Sequence, residues 1–237
     1  MQPCGGGVLP YVWNRPPCRH LANGVDLAPY INYSQVSQPD VTKRTPVILY
    51  LGRFHPLRGI EHLIDAFRFV SREFPDARLV IAGPDEGHLQ ASYRRRAQSH
   101  GLRDGQVIFP GILRVEEKLN WLRRADLFCM PSVAEGFSIA VLEAMASSVA
   151  VVLSAGCHFP EAANSGAARI CSTEPPELAK VLVELLANPD TTAEMGRRGH
   201  DLVRERYSLD RVIDELVGLY EEGIARSRDS RHDPEKT

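Results

Sequence analysis

Short apolar runs alternate along this chain with longer segments in which apolar residues recur every three or four positions. Such runs are typical of buried strands, and the spacing i, i+3, i+4, i+7 is typical of amphipathic helices. The clearest pair is the apolar run 46–51, which is followed by Ile60, Leu63, Ile64 and Phe67. Strands that alternate with helices favour a parallel sheet with helices on both faces. We therefore predict an α/β fold, a single Rossmann-like domain.

The remaining elements follow from the same patterns. Strands are predicted at 78–82, 107–109, 126–130, 149–153 and 168–171, and helices at 86–100, 115–122, 191–206 and 208–222. A further helix is predicted to contain Glu143 about one and a half turns from its start and to continue through 144–148, and another to carry Leu178 to Leu185. Asn188-Pro189 and Gly223 are predicted to end the helices that precede them, and Val115, Leu119 and Leu122 to share one buried helix face. The predicted organisation is a largely irregular N-terminal segment at 1–42, the Rossmann-like domain with C-terminal helices at 43–225, and a charged, disordered tail at 226–237.

Charge and hydropathy narrow the class of protein. Hydrophobic residues make up 43% of the chain and the formal net charge is −2, so no nucleic-acid partner is expected. The arginine run 94–96 favours a solvated helix face, with peripheral association to an anionic membrane as the alternative. No apolar run approaches the roughly 18 residues of a membrane span. The first residues also lack the basic and apolar regions of a signal peptide.

The cysteines give no sign of a disulfide framework or a zinc site. They are odd in number and scattered, without C-x-x-C spacing: Cys4, Cys18, Cys129, Cys157 and Cys171. Cys129 and Cys171 lie in apolar runs, where cysteine is most simply a small core residue. A reduced, cytoplasmic setting is expected.

Two carboxylates carry the most specific chemical signal. Glu135 and Glu143 bracket the segment Glu-Gly-Phe-Ser-Ile-Ala-Val-Leu-Glu, which leads from a predicted strand into a predicted helix. The free N–H groups at a helix start can hold a phosphate, and the two carboxylates can accept hydroxyls on either side of it. A nucleotide-sugar presents this set of groups. The spacing alone also fits a surface loop with one solvated glutamate and a helix with another.

A second cluster of candidate residues follows the strand predicted at 46–51. Arg53 and Arg58 lie in the loop after it, at the end of a strand where open α/β sheets bind their ligands. We predict that both arginines face Glu135. The result would be a pocket with one anion-binding wall and one hydroxyl-binding wall.

Several short motifs then occur in a recognisable order. They are Asn23-Gly-Val-Asp26, Gly52-Arg53 with Arg58-Gly59, Leu79 to Gly83, Val107 to Gly111, Ala125-Asp126, Pro131-Ser132, Glu135 to Glu143 and Phe159-Pro-Glu161. This series resembles the C-terminal, donor-binding half of retaining glycosyltransferases of the GT-B fold, in the family 4 group (glycosyl transferases group 1). The resemblance covers roughly residues 23–223 and implies one half of a GT-B fold with glycosyltransferase, hexosyltransferase-like activity.

The resemblance also implies roles for particular residues. Glu135 contacts the donor sugar, while Arg53 and Arg58 stabilise charge on the β-phosphate as the anomeric bond breaks. Glu143 takes the ribose hydroxyls. Further donor-binding positions are the N–H groups of Gly136, Phe137, Ser138 and Ile139, together with Leu113 and Lys118 near the base. No Asp-x-Asp occurs in the chain, so we expect no metal and no cofactor beyond the nucleotide-sugar donor itself.

Some positions depart from the family pattern. The family more often has lysine where Arg58 stands, and arginine is the bulkier phosphate ligand. Ser148 and Ala150 occupy positions where many relatives have glycine and proline, with slight harm expected. The loop 156–161 replaces a commoner glycine-rich version. Its His158, like His55, is expected to order the loop or line the cleft, with a catalytic hydrogen-bond donor as the alternative.

Nothing in the sequence resembles the acceptor site of these enzymes. Complete enzymes of this fold hold the acceptor mostly in an N-terminal domain, and residues 1–42 do not resemble one. The resemblance therefore implies an acceptor-binding domain or subunit as a partner. The last helix, which packs on that domain in relatives, would then expose its apolar face, with Ile213, Leu216, Val217 and Tyr220.

Three functions remain open from the sequence. The first is the donor half of a retaining glycosyltransferase. The second is a non-catalytic nucleotide-sugar-binding module or an inactive remnant. The third is an epimerase or phosphorylase on the same half-fold, although nothing in the chain marks the pyridoxal-phosphate lysine that such phosphorylases need.

Overall fold

One parallel sheet forms the centre of the computed structural model, which describes residues 21–31 and 45–229. Within these residues the six strands are β1 Val47–Leu51, β2 Arg78–Ala82, β3 Val107–Gly111, β4 Leu127–Met130, β5 Ala150–Ser154 and β6 Ala168–Cys171. Their order across the sheet is β3-β2-β1-β4-β5-β6, and every neighbouring pair is parallel. The α/β, Rossmann-like fold predicted from the apolar pattern is confirmed.

Helices alternate with these strands along the chain. They are α1 Ala28–Ile31, α2 Ile60–Glu73, α3 Gln90–Ser99, α4 Val115–Arg124, α5 Ile139–Ala146, α6 Pro160–Asn164, α7 Pro175–Ala187, α8 Pro189–Arg206 and α9 Leu209–Asp229, with 3₁₀ turns at Pro56–Arg58 and Ala155–Cys157. Helices α2, α3 and α7 pack together, and α5 packs with α8 against β5. The sheet is thus covered by helices, as parallel sheets require.

The core explains why these segments fold as they do. Strands β1, β4 and β5 are buried along their whole length, which accounts for their continuous apolar runs. Helix α2 buries its predicted stripe, including Leu63, Ile64 and Phe67, and leaves its polar side in solvent. Burial of each such side chain stabilises the fold by about 1.5–3 kcal/mol. The apolar pattern therefore fixes both the period and the face of this helix.

The sheet order also locates the functional edge. Strand β1 has β2 on one side and β4 on the other, so the chain reverses its direction of travel across the sheet between β1 and β4. Ligands of open parallel sheets bind at the carboxyl ends of the strands beside such a reversal. The loops that follow β1 and β4 carry the predicted arginines and Glu135.

Two of the differences between observed and predicted helix starts have a clear cause. Helix α3 begins at Gln90, not at 86, because the Asp85 carboxylate accepts hydrogen bonds from the N–H groups of Leu89 (2.7 Å) and Gln90 (3.0 Å). This is a helix cap made by a residue several positions ahead. Helix α8 begins at Pro189 and not at Thr191, since proline suits the first turn, where its missing N–H costs nothing.

Two predicted details of the helices are wrong. Val115, the first residue of α4, is 63% exposed, while Leu119 and Leu122 are buried. Gly223 does not end α9, which continues to Asp229. A glycine costs about 1 kcal/mol inside a helix but ends one only when it turns left-handed. Part of the predicted tail is therefore helical, and residues 230–237 lie outside the described residues.

The described part of the predicted N-terminal segment, residues 21–31, packs against the C-terminal end. Val25 is buried and forms a parallel bridge with Ser208. Its N–H donates to the Tyr207 carbonyl (2.9 Å), and its carbonyl accepts from the Leu209 N–H (2.9 Å). We call this arrangement the Val25 bridge. It holds residues 21–27 at the junction between α8 and α9. The rest of the segment 1–42 lies outside the described residues.

Helix α9 leaves the domain after this junction. None of its described side chains beyond Val212 is buried, and five apolar residues there are between 37% and 65% exposed: Ile213, Leu216, Val217, Tyr220 and Ile224. The prediction that the last helix exposes an apolar face is confirmed. Among residues 21–31 and 45–229, no helix has the length and apolarity needed to cross a membrane.

The arginine run 94–96 serves the packing of α3. Arg96 donates to both carboxylate oxygens of Asp65 (2.6 and 2.5 Å), and His100 Nε2 lies 2.6 Å from the same group. The guanidinium of Arg94 lies 4.9 Å from the centre of the Phe109 ring. Two of the three arginines therefore join α3 to its neighbours, which fits the favoured interpretation of a helix face.

Candidate functional site

Three loops meet at the carboxyl edge of the sheet, after β1, β4 and β5. The Val133 N–H donates to the Leu57 carbonyl (2.8 Å), and the Glu135 N–H donates to the Gly156 carbonyl (2.9 Å). The loop after β4 is thus hydrogen-bonded to both of its neighbours. These backbone bonds build one continuous surface, on which the predicted residues of separate loops become neighbours.

Two glycines allow the loops to approach this closely. Gly59 has φ +68°, and a Cβ there would collide with the Pro131 carbonyl. A Cβ on Gly156 would collide with the carbonyls of Ser132 and Val133. Larger residues at either position would push the loops apart.

Arg58 and Glu135 form an ion pair between the loops after β1 and β4. Their side chains are only 20% and 12% exposed, so the pair is largely shielded from water. The 3₁₀ turn that carries Arg58 is capped by His55, whose Nδ1 accepts from the Leu57 N–H (3.2 Å). His55 therefore orders the arginine loop, as the favoured interpretation has it. Of the two arginines predicted to face Glu135, the structure brings Arg58 to it, whereas the Arg53 guanidinium lies near Glu86.

Arg53 occupies a different position. Its side chain is 53% exposed, and its guanidinium lies 3.8 Å from the carboxylate of Glu86. The Arg53 carbonyl accepts from the Tyr50 hydroxyl (3.3 Å) beneath the loop. Burial raises the pKa of Tyr50 well above its usual value, so this tyrosine stays a neutral donor. The backbone of Arg53 is fixed while its side chain is left to solvent.

A second ion pair joins α4 to α5. Lys118 Nζ lies 2.5 Å from Glu143 Oε1, and the two side chains are 26% and 14% exposed. Leu113, also predicted near the base, lies half-buried after β3 and packs against the core. The structure thus brings Lys118 to Glu143, whereas Leu113 contributes an apolar wall at the neighbouring strand end.

The first turn of α5 lies between the two ion pairs along the chain. Ser138 is its N-cap residue but makes no side-chain capping bond, and the first turn contains no acidic residue. Its N–H groups therefore lack a side-chain acceptor, and they carry the positive end of the helix dipole. Gly136 and Ile139 are exposed. This is the kind of helix start that binds anions.

The side chain of Phe137 anchors this loop. It packs against Phe159 (5.1 Å between ring centres) and Tyr207 (5.3 Å), and these two rings lie 5.4 Å apart. Asn23 Nδ2 donates to the Phe137 carbonyl (3.2 Å). We call Phe137, Phe159 and Tyr207 the aromatic triad. Tyr207 and Asn23 were not predicted as site residues, because no local pattern links positions so far apart in the chain.

His158 closes the site on the β5 side. It adopts left-handed backbone angles (φ 49°, ψ 43°) at the end of the 3₁₀ turn 155–157. Its ring nitrogen Nδ1 lies 3.3 Å from the Glu135 carbonyl. His158 thus contacts the loop that carries Glu135, which agrees with the expectation that it orders the loop or lines the cleft.

Candidate metal ligands were also compared with the structure. Within residues 21–31 and 45–229, no group of three or more His, Cys, Asp or Glu side chains is placed to hold one metal ion. Cys129 and Cys157 are buried free thiols and Cys171 is half-buried, and burial raises the pKa of Cys171 to about 11. Burial also raises the pKa of Cys129, so Cys129 and Cys171 are protonated thiols. Cys4 and Cys18 lie outside the described residues.

Comparison with known proteins places this geometry in context. The model of the family "Glycosyl transferases group 1" matches residues 34–201. The GDP-mannose-dependent monoacylated alpha-(1-6)-phosphatidylinositol monomannoside mannosyltransferase of Corynebacterium glutamicum is 29% identical over 220 residues, 87% of this chain and 56% of that protein. The chain spans about half the length of the curated relatives it matches.

Solved structures share the fold. The C-terminal domain of a glycosyl transferase group 1 family protein from Francisella tularensis superposes with a TM-score of 0.66 at 24% identity, over 78% of this chain and 100% of that domain. Anabaena HepE in complex with UDP-glucose gives a TM-score of 0.72 at 20% identity, over 84% of this chain and 56% of that protein.

Proposed function

The chain belongs to the glycosyl transferases group 1 family, and we propose that it is the donor-binding domain of a retaining glycosyltransferase that uses a nucleoside-diphosphate sugar. One observation carries the proposal. The ion pairs Arg58–Glu135 and Lys118–Glu143 lie just before and just after the uncapped first turn of α5. Cations, carboxylates and free N–H groups therefore converge on one helix start.

The diphosphate binds at this helix start. A phosphate at this position accepts hydrogen bonds from the N–H groups of the first turn. It also competes with Glu135 for the guanidinium of Arg58. Arginine holds phosphate through two parallel hydrogen bonds, so the exchange replaces one ion pair by another. Glu135 is released by the exchange, and its carboxylate accepts a hydrogen bond from a hydroxyl of the donor sugar.

The nucleoside lies towards α4. Glu143 accepts the ribose hydroxyls, and Lys118 keeps that carboxylate oriented from the neighbouring helix. Leu113 supplies an apolar surface near the base. This assignment follows the order of the groups along a nucleotide-sugar, with the sugar at Glu135, the phosphates at α5 and the ribose at Glu143.

Bond cleavage leaves additional negative charge on the β-phosphate. Arg58, Arg53 and the dipole of α5 are aimed at that charge, and each well-placed donor lowers the barrier by a few kcal/mol. Arg53 is exposed and its contact with Glu86 is long, at 3.8 Å, so its side chain can turn onto the phosphate. These cations therefore neutralise the leaving group, and no metal ion is needed for that step.

The acceptor is bound by a second domain or subunit. Two observations support this partner: the chain spans about half the length of its relatives, and α9 presents an uncovered apolar face. An apolar helix face of this kind marks an interaction surface. Transfer then takes place in a cleft between the two parts, where the second part positions the acceptor.

The nucleotide is tested directly, because the relatives differ in the donor that they name. The mannosyltransferase relative is described as GDP-mannose-dependent, and HepE was solved with UDP-glucose. Calorimetric titration of the purified chain with GDP, UDP and ADP, each with and without EDTA, is expected to show binding of one nucleotide that survives the chelator.

Failure has a clear form in this experiment. If none of the three nucleotides binds, the site assignment is wrong; if binding is lost with EDTA, a metal takes part. Binding without transfer to any acceptor, even when a candidate acceptor domain is added, supports the alternative of a non-catalytic nucleotide-sugar-binding module.

A further inference from the structure

His158 holds a backbone conformation that its residue type disfavours. Its φ of 49° and ψ of 43° lie in the left-handed region, which costs an L-residue about 1–2 kcal/mol relative to the right-handed one. Glycine adopts this conformation without strain. Backbone strain held in place by its surroundings is concentrated at functional sites. The ring of His158 is therefore the part of the residue to explain.

The ring is oriented by Glu135. Its Nδ1 lies 3.3 Å from the Glu135 carbonyl oxygen, and a carbonyl only accepts, so Nδ1 carries the hydrogen. In the neutral ring the other nitrogen, Nε2, is then an acceptor. The His158 side chain is exposed, and no contact of Nε2 is found within the described residues. Nδ1 thus fixes the orientation of the ring, and Nε2 can accept a hydrogen bond from a ligand.

Glu135 is also the point at which the donor sugar is placed by the proposed function. Its N–H is held by the Gly156 carbonyl (2.9 Å) and its carbonyl by the His158 ring. The loop 155–158 therefore contacts both the N–H and the carbonyl of Glu135. A sugar that touches the Glu135 carboxylate lies next to a histidine whose orientation is set by the same residue.

We propose that His158 is a specificity-determining residue, whose Nε2 hydrogen-bonds one hydroxyl of the donor sugar. The inference rests on the proposed function and names the part of the donor that His158 recognises: the hexose, and not the nucleotide. The competing explanation is that His158 only fastens the loop to Glu135.

Two substitutions separate these roles. His158→Asn keeps a side-chain N–H that can reach the Glu135 carbonyl, and asparagine tolerates left-handed angles, but it lacks Nε2. His158→Gly removes the ring and the strain together. His88→Asn is the matched control, because His88 is also exposed and also has a positive φ, of 53°.

The measurement compares two ligands that differ only in the sugar. Calorimetry gives the dissociation constants of GDP and GDP-mannose, and of UDP and UDP-glucose, for the wild-type chain and the three variants. Both His158 variants are expected to bind the nucleoside diphosphate within twofold of the wild type. They should bind the matching nucleotide-sugar about 3- to 10-fold more weakly, as expected for one lost hydrogen bond. His88→Asn should change neither constant.

A series of deoxy-sugar donors then identifies the hydroxyl. The wild type should discriminate against the one analogue that lacks it, and His158→Asn should bind that analogue and the parent sugar equally. If His158→Asn binds every ligand like the wild type, or weakens both ligands of a pair equally, the inference is overturned. If the wild type binds no nucleotide at all, the proposed function fails together with it.

Discussion

Lys118 Nζ lies 2.5 Å from Glu143 Oε1, across the gap between α4 and α5. The carboxylate assigned to the ribose is therefore held in place before any nucleotide arrives. Preorganised groups bind more tightly because less conformational freedom is lost on binding. In the proposed function, the Lys118 ammonium then lies beside the ribose and base.

Loss of the Lys118 charge is expected to weaken nucleotide binding. In Lys118→Met the apolar stem remains, but Glu143 loses the partner that orients it. The dissociation constant for the bound nucleoside diphosphate should rise about 3- to 10-fold, the range expected for one ordinary hydrogen bond, because Lys118 acts through Glu143. Calorimetry measures the change. Lys180→Met, at an exposed position of α7, is the control, and an equal loss in both variants contradicts the assignment.

The two arginines are expected to differ in their contribution to stability. Arg58→Ala leaves the shielded Glu135 carboxylate unpaired and should lower the free energy of unfolding by about 3 kcal/mol. Arg53→Ala breaks only an exposed contact and should lower it by less than about 0.5 kcal/mol. In binding, however, Arg53→Ala should weaken the nucleoside diphosphate about tenfold and leave the nucleoside unaffected, because the role proposed for Arg53 is contact with the phosphate.

Urea unfolding and calorimetry together test this distinction. The double variant Arg58→Met/Glu135→Leu removes both members of the pair and should recover most of the stability lost in Arg58→Ala, without recovering diphosphate binding. Full stability in Arg58→Ala would mean that Glu135 is well solvated without its partner. Equal loss of nucleoside and diphosphate binding in Arg53→Ala would remove Arg53 from the phosphate site.

Ser148→Gly is expected to stabilise the protein. Ser148 follows α5 with a φ of 57°, a conformation that costs an L-residue about 1–2 kcal/mol. Glycine removes this cost, but it lowers stability by about 0.4–1 kcal/mol because it raises the entropy of the unfolded chain. The expected net gain is roughly 0.5–1 kcal/mol. This cost of the left-handed backbone is larger than the slight harm that the sequence predicted for a serine at position 148. Thermal unfolding compares Ser148→Gly with Ser148→Ala, which keeps a Cβ and should show no gain; a gain in both contradicts the explanation by backbone strain.

Asp65 is expected to make stability depend on pH. Burial alone would raise its pKa, but hydrogen bonds from Arg96 and His100 outweigh burial and hold the pKa below its usual value. A carboxyl whose pKa is lower in the folded chain contributes stability above its unfolded pKa of about 3.9. That contribution is lost as the pH falls through the folded pKa.

The test is the difference in stability between the wild type and Asp65→Asn. The variant should be less stable at pH 7 by about 1 kcal/mol, a modest value because the network is partly solvated. The difference should shrink below pH 4, as Asp65 of the wild type becomes protonated. Asp76→Asn, at an exposed carboxylate that lies 3.8 Å from Arg103, is the control. A difference that stays constant down to acidic pH contradicts the assignment.

The sequence predicted the parts of this structure that depend on local patterns. Strand β1 and helix α2 were correct because a continuous apolar run and a 3.6-residue stripe encode burial directly. The meeting of Arg58 with Glu135 followed from one rule, that ligand sites of parallel sheets lie at the strand ends beside the reversal of strand order.

Other features depended on contacts between distant positions. The packing of Phe137 against Tyr207 and the bond from Asn23 to the Phe137 carbonyl join segments that no local period connects. The continuation of α9 through Gly223 was missed for a different reason: glycine only permits a left-handed helix end, and whether one forms depends on the contacts made by the residues after the glycine. Tertiary contacts decided the first two cases, whereas the continuation of α9 lies in an exposed part of the helix.

The Val25 bridge has a mechanical consequence. Two backbone hydrogen bonds fasten residue 25 to the junction from which α9 departs, and Tyr207 at that junction contacts Phe137 in the loop before α5. Helix α8, which leads into the junction, also packs against β5. A displacement of α9 would therefore be shared between this loop and the central sheet.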